Sequence, residues 1–123
     1  MKIQRIHHYS MKCASPEDAL RVKAFYCDLL GMTIVTEWDG GFMLDCGGGM
    51  VEVFTGGEGS RETGALRHLA FEVDDVDAFA GAAKEAGCEV FLGPKDIVVP
   101  VPARIAFCFG PLGEQVEFFC PRT

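Results

Sequence analysis

Two stretches of this chain carry the same instruction, and together they constrain the fold more than any other feature. In Ile6-His-His-Tyr-Ser-Met-Lys-Cys13, the residues Tyr9, Met11 and Cys13 alternate with His8, Ser10 and Lys12. In Leu66-Arg-His-Leu-Ala-Phe-Glu-Val73, the residues Leu69, Phe71 and Val73 alternate with His68, Ala70 and Glu72. Period-2 alternation marks a strand with one face in a core, so each histidine stands on the face turned away from that core. Each strand is answered later by one with a glutamate between apolar neighbours. These are Met50-Val-Glu-Val-Phe54 and Gln115-Val-Glu-Phe-Phe119.

The segments between these strands repeat as well. After the first strand, Ser15 is placed as a helix N-cap, Pro16 suits the first helical position, and Glu17 and Asp18 favour the positive end of the dipole. Leu20, Ala24 and Leu29 or Leu30 recur at helical spacing, Gly31 supplies the stop, and Phe25 and Tyr26 lie where such a helix presses on a sheet. Strands are predicted over Met32–Glu37, Phe42–Cys46 and Met50–Thr55, with Asp39-Gly40-Gly41 and Gly47-Gly48-Gly49 as turns. In the second half a strand over Leu66–Val73 leads to a helix over Asp75–Ala86, stopped by Gly87. Strands follow near Glu89–Leu92, Arg104–Phe109 and Glu114–Cys120. Gly93 to Pro102, with prolines at 94, 100 and 102, departs from the first copy and reads as an excursion, a substrate-facing flap.

A strand, a helix and three strands, twice over, form an internal repeat in which neither copy is large enough to stand alone. The expected architecture is a single α+β domain over 1–123, with module one at 1–57, a linker at 58–64 and module two at 65–123. Its mixed sheet is cupped, with the helices on the convex face. Val51, Val53, Leu69, Phe71, Val116 and Phe118 then go under the helices, and His8, Glu52, His68 and Glu117 point into the concave face. His7 is the rival of His8, but its parity follows Tyr9 and Met11 toward the helices, so His8 is preferred.

Two carboxylates and two imidazoles in one cleft conflict, because the acids raise each other's pKa and desolvation adds to the cost. One divalent cation resolves that conflict. Mixed N/O donors without thiolate suit Ni, Co, Mn, Fe(II) or Zn better than Ca or Mg. The lack of cysteine among them points to an open site rather than a structural one. Such an ion polarises a carbonyl while Glu52 or Glu117 moves the adjacent proton. Taken singly, a histidine or glutamate on a strand is most often a solvated residue; the matched placement in two copies makes the argument. Ser10 and Lys12 share the face of His8 and are candidate substrate contacts, with a solvated edge as the plain alternative. Arg104, with Ala106 and Cys108, is placed on the cleft face on the view that Ile105, Phe107 and Phe109 make the better core set, and it could hold an anionic group of a ligand.

The bulk properties exclude other classes. At 123 residues and 49% hydrophobic, the chain can bury a core and is too apolar for disorder. No run approaches the ~20 apolar residues of a membrane span. A net charge of −7 speaks against nucleic-acid binding. Met-Lys-Ile-Gln-Arg runs straight into strand pattern without a signal-like region, so a cytoplasmic location is expected, with the six scattered cysteines reduced and acting as small hydrophobes.

With these residues in view, the chain resembles the vicinal oxygen chelate superfamily of glyoxalase I, bleomycin-resistance proteins and extradiol dioxygenases. The likeness is carried by Ile6-His-His-Tyr-Ser10, Ala24-Phe-Tyr-Cys-Asp-Leu-Leu-Gly-Met32, Val51-Glu-Val-Phe54, Arg67-His-Leu-Ala-Phe-Glu-Val73 and Gly110-Pro-Leu-Gly-Glu-Gln-Val-Glu-Phe-Phe119. The last is similar to the D-P-D-G-x-x-x-E ending of the family, with Gly110 and Leu112 in place of both aspartates. The resemblance implies paired βαβββ modules, a metal in the cupped sheet and a homodimer. Its His-Glu-His-Glu set is similar to that of glyoxalase I, whereas the ring-cleaving dioxygenases use His-His-Glu and methylmalonyl-CoA epimerases typically carry Gln at the position of Glu52. The implied activity is a lactoylglutathione lyase-like proton shift next to a carbonyl of a small substrate. The alternatives are a non-catalytic small-molecule binding or resistance protein of the same fold, or a ring-cleaving dioxygenase. Where glutathione-dependent members carry Arg and Asn, this chain has Lys12 and Gly56.

Overall fold

A computed structural model describes residues 1–2, 4, 6–55, 68–98 and 101–122. The predicted linker at 58–64, Gly56 and the start of the strand predicted from Leu66 lie outside the described residues. The chain divides into two compact units, Met1–Ser60 and Arg61–Thr123.

The first unit runs β1 (His8–Lys12), α1 (Pro16–Lys23) with a π-helical continuation over Ala24–Leu29, β2 (Thr33–Trp38), β3 (Gly41–Asp45) and β4 (Met50–Phe54). Its sheet has the order β1-β4-β3-β2, with β1 parallel to β4 and the other pairs antiparallel. Asp18, fully buried, starts the helix by accepting from the N–H groups of Ala14 (2.9 Å) and Ser15 (3.2 Å), and it pairs with Arg21. The buried stripe is Asp18, Val22, Phe25 and Tyr26, a spacing of four, three and one that faces one side of a helix. The stripe suggested by Leu20 and Ala24 is corrected, since both are exposed. The larger apolar surfaces of Val22, Phe25 and Tyr26 take the sheet side, each contributing roughly 1.5–3 kcal/mol by burial. The widened turn shows in Leu30 N–H donating to the Phe25 carbonyl at 3.0 Å, an i to i−5 bond. Gly31, at φ 79°, then ends the helix in the left-handed conformation. Helix and sheet meet through Tyr26 Oη and Met11 Sδ (3.7 Å) and through Lys23 Nζ over the Phe42 ring (4.8 Å). The helix therefore covers the face of Met11, Phe42, Val51 and Val53.

The second unit runs β5 (Leu69–Glu72), α2 (Val76–Glu85), β6 (Val90–Ile97), β7 (Ala103–Phe109) and β8 (Gln115–Pro121). The order β5-β8-β7-β6, with β5 parallel to β8, repeats that of the first unit. Asp75 caps α2 by accepting from the Ala78 N–H at 3.0 Å, and Val76, Ala80 and Ala83 form its buried stripe. Phe79 meets Phe118 with ring centroids 5.5 Å apart, which fixes the helix on the Val116 and Phe118 face. The predicted α+β fold is observed, with two four-stranded mixed sheets and a helix on one face of each.

The excursion expected from Gly93 is corrected as far as Ile97, because β6 continues through Gly93 and Pro94. A proline is tolerated there because β6 is the edge strand and its register shifts between Leu92 and Lys95. Gly93 makes the shift possible: its φ is 78°, and a Cβ would sit 2.5 Å from the Ile105 carbonyl oxygen.

Candidate functional site

In the first unit, parallel pairing sets Ser10 opposite Glu52 and Met11 opposite Val53. Since Val53 is in the core, Glu52 and Ser10 share the opposite face, and strand alternation adds His8 and Lys12 to it. His8 Nε2 stands 3.5 Å from Glu52 Oε1, and the Ser10 hydroxyl donates to the same oxygen at 3.2 Å. Lys12 is exposed on this face. His7 lies just before β1, and its Nδ1 is 3.0 Å from Nδ1 of His8.

The second unit repeats the geometry in the same register. Ala70 pairs with Glu117 where Ser10 paired with Glu52. His68 Nε2 stands 2.9 Å from Glu117 Oε2. The Glu117 side chain is 9% exposed against 19% for Glu52, so it is the more enclosed acid. Burial pushes the Glu117 carboxyl above the usual carboxylate range, against the opposing pull of His68.

The four residues singled out by strand parity thus stand as two imidazole–carboxylate pairs, His8 with Glu52 and His68 with Glu117. Among the described residues, no group of three or more His, Cys, Asp and Glu side chains is close enough to hold a metal ion. Each pair alone offers two donors, fewer than the three protein ligands of a typical open catalytic site.

Arg104 is not with them. Antiparallel pairing sets Phe107 opposite Glu117 and Ala106 opposite Phe118, so β7 presents Ile105, Phe107 and Phe109 to the Glu117 face and Arg104, Ala106 and Cys108 to the helix face. Arg104 donates to Asp77 in α2 (Nη2 to Oδ1, 2.8 Å) and to Asp96 in β6 (3.2 Å). The fork of the guanidinium holds the Asp77 carboxyl below its usual range. The expectation of a cleft-facing Arg104 is corrected for that reason: its donors are committed to a helix-to-sheet clamp.

The same inversion brings in residues that strand patterning missed. Phe107 meets the His68 ring edge-on at 5.0 Å, Phe91 lies 5.7 Å from Phe107, and Phe91 stacks on Phe109 at 4.3 Å. An aromatic shelf therefore adjoins the His68–Glu117 pair. The signal for it was the turn. Phe109 pairs with Gln115 across Gly110–Glu114, and counting two residues away from the turn along each strand puts Phe107 beside Glu117.

Comparison with known proteins adds to this geometry. The Glyoxalase/Bleomycin resistance protein/Dioxygenase superfamily pattern matches residues 5–118. Uncharacterized protein YaeR of Escherichia coli (strain K12) is 37% identical over 89 residues, which cover 62% of this chain and 66% of that protein. The match therefore spans just under two thirds of that relative. Among solved structures, a glyoxalase family protein from Enterococcus faecalis superposes with a TM-score of 0.78 at 24% identity, covering 97% of this chain and 99% of that one. TnmS3, an antibiotic binding protein from Streptomyces sp. CB03234, gives a TM-score of 0.74 at 24% identity, covering 99% of each chain.

Proposed function

The chain belongs to the Glyoxalase/Bleomycin resistance protein/Dioxygenase superfamily, and from that membership we propose a divalent-metal-dependent, glyoxalase-like lyase or isomerase that shifts a proton next to a carbonyl of a small substrate. One observation carries the reading: an imidazole–carboxylate pair recurs in each unit on equivalently paired strands. A structural role would not need the same costly pair twice, one of its acids nearly enclosed.

The donor chemistry fits one divalent cation. His8, Glu52, His68 and Glu117 supply two neutral nitrogens and two negative oxygens, which a 2+ ion neutralises, and the absence of thiolate suits Ni, Co, Mn, Fe(II) or Zn. The four would hold it together, contributed by one chain or by two chains of a homodimer. When bound, such an ion would polarise a substrate carbonyl and acidify the neighbouring C–H. Glu52 or Glu117 would take the proton from that carbon and return it to the former carbonyl carbon, while the substrate hydroxyl proton passes to the former carbonyl oxygen, with no change in overall oxidation state. In the metal-free protein burial raises the Glu117 carboxyl above the usual carboxylate range. Ser10 holds the Glu52 carboxylate, and Lys12, exposed on the same face, is offered to an anionic group of the substrate.

The test is reconstitution with Ni, Co, Mn or Zn, metal counting per chain, and assay against the methylglyoxal–glutathione hemithioacetal. One ion per site, lost in Glu52→Gln and in Glu117→Gln, with turnover of the hemithioacetal, supports the reading. No turnover with any metal rejects the glutathione-linked version, and no metal bound rejects the whole. A second reading has its own observation. The aromatic shelf of Phe91, Phe107 and Phe109 also suits a protein that binds a flat molecule without chemistry, and TnmS3 is named an antibiotic binding protein. A ligand recovered chemically unchanged from the metal-loaded protein favours that alternative. A ring-cleaving dioxygenase ranks third, because it has no use for the acid at Glu52.

A further inference from the structure

We infer that His7 is a positioning residue for His8, fixing which ring nitrogen of His8 is free to bind; the inference rests on the reading of His8 as a ligand. Neighbouring residues within a strand point to opposite faces, so side chains at 7 and 8 would not ordinarily meet. They meet here, with His7 just before the start of β1. Its carbonyl accepts from the Met50 N–H at 3.1 Å, which ties its backbone to the start of β4. The two rings stand nearly perpendicular, 86° apart with centroids at 5.2 Å, and their Nδ1 atoms are 3.0 Å apart.

The consequence for His8 is specific. Its Nδ1 is engaged with His7, while Nε2 is the atom facing Glu52, at 3.5 Å. A hydrogen bond between two Nδ1 atoms needs one N–H and one lone pair. With a cation between Nε2 and the Glu52 carboxylate, the ion would take the Nε2 lone pair, and the ring proton of His8 would sit on Nδ1 and be donated to His7. Histidines that bind metals commonly donate their other N–H to a partner, and loss of that partner costs about 10–100-fold in affinity. The usual partner is a carboxylate, a carbonyl or a water; here a second imidazole occupies that place. His68 is held differently, by the Phe107 ring against its own. The two pairs are therefore oriented by different means, one polar and one apolar.

The experiment uses zinc binding by the whole chain, with no need of a substrate. His7→Phe keeps the ring and removes both nitrogens, whereas His7→Asn returns a side-chain acceptor near the position of Nδ1. The expected result is a zinc affinity about 10–100-fold weaker for His7→Phe, with most of the loss recovered in His7→Asn. In zinc-loaded wild type, long-range proton–nitrogen NMR of the His8 ring should show the proton on Nδ1 and zinc on Nε2. Unchanged affinity in His7→Phe overturns the inference, as does coordination of His8 through Nδ1. Equal losses in both variants also overturn it, since they would report ring packing rather than a hydrogen bond. If wild type binds no zinc, the metal reading itself has failed and this inference falls with it.

Discussion

Glu117→Gln should make the metal-free protein more stable and the zinc-loaded protein less stable than wild type. The carboxylate is 9% exposed and lies within the sheet face, while its partner His68 keeps 38% of its side chain in solvent. The fold penalises the charged acid more than His68 repays it, which is why the Glu117 carboxyl is pushed upward. Glutamine preserves the shape and removes the charge. It strands no buried cation either, because His68 keeps 38% of its side chain in solvent. Relief of the uncompensated desolvation of one buried group is worth about 1–3 kcal/mol, and partial exposure of the pair argues for the low end, about 1 kcal/mol. Glu52→Gln is the comparator. Its carboxylate is 19% exposed and is bonded by Ser10, so its change in the metal-free state should stay within about 0.5 kcal/mol. Zinc reverses the order. At 100 times the dissociation constant wild type gains about 2.7 kcal/mol; a variant bound 100-fold more weakly gains about 0.4 kcal/mol at the same zinc. Thermal unfolding with chelator and with zinc reads both signs in one plate. A metal-free Glu117→Gln less stable than wild type would show that the acid supports the fold. Equal zinc-induced shifts in the two proteins would show that it is not a ligand.

Three further outcomes follow from the second unit. Arg104→Ala should leave zinc affinity unchanged, since Arg104 is committed to Asp77 and Asp96 on the helix face. It should also flatten the acid side of the stability profile. Asp77 is depressed in the fold, so its contribution is present above the ordinary Asp range and lost as pH falls through the lowered value; thermal unfolding from pH 2 to 7 checks this. Gly93→Ala should destabilise by about 2–4 kcal/mol, combining a left-handed backbone with a Cβ 2.5 Å from the Ile105 carbonyl, measured by urea unfolding. Phe107→Ala should loosen the orientation of the His68 ring and weaken zinc binding by about tenfold, the low end of the range seen for outer-shell partners. Wild-type zinc affinity in Phe107→Ala would refute the idea that ring packing orients His68.

The strands that could be read from sequence alone differ physically from the one that could not. In β1, β4 and β8 one parity is apolar and the other carries His8, Ser10, Glu52 or Glu117, so only one assignment of faces avoids burying a charge beneath the helices. In β7 the run Ala103-Arg-Ile-Ala-Phe-Cys-Phe109 is apolar on both parities apart from Arg104 near its start, so hydrophobicity alone is a weak guide to its faces. Size chooses instead. The buried stripe of α2 is Val76, Ala80 and Ala83, a close-approaching surface that accommodates Ala106 and Cys108, both fully buried. The rings of Phe107 and Phe109 go to the opposite face, where Phe91 receives them. Arg104 follows the small residues to the helix side without stranding its charge, because it lies near the end of β7, within reach of Asp77 in the first turn of α2. The bulk a helix can admit therefore decides the face of a strand that polarity leaves open. The same fit of Ala106 and Cys108 under α2, beside Phe118, is what sets an aromatic shelf beside His68 and Glu117.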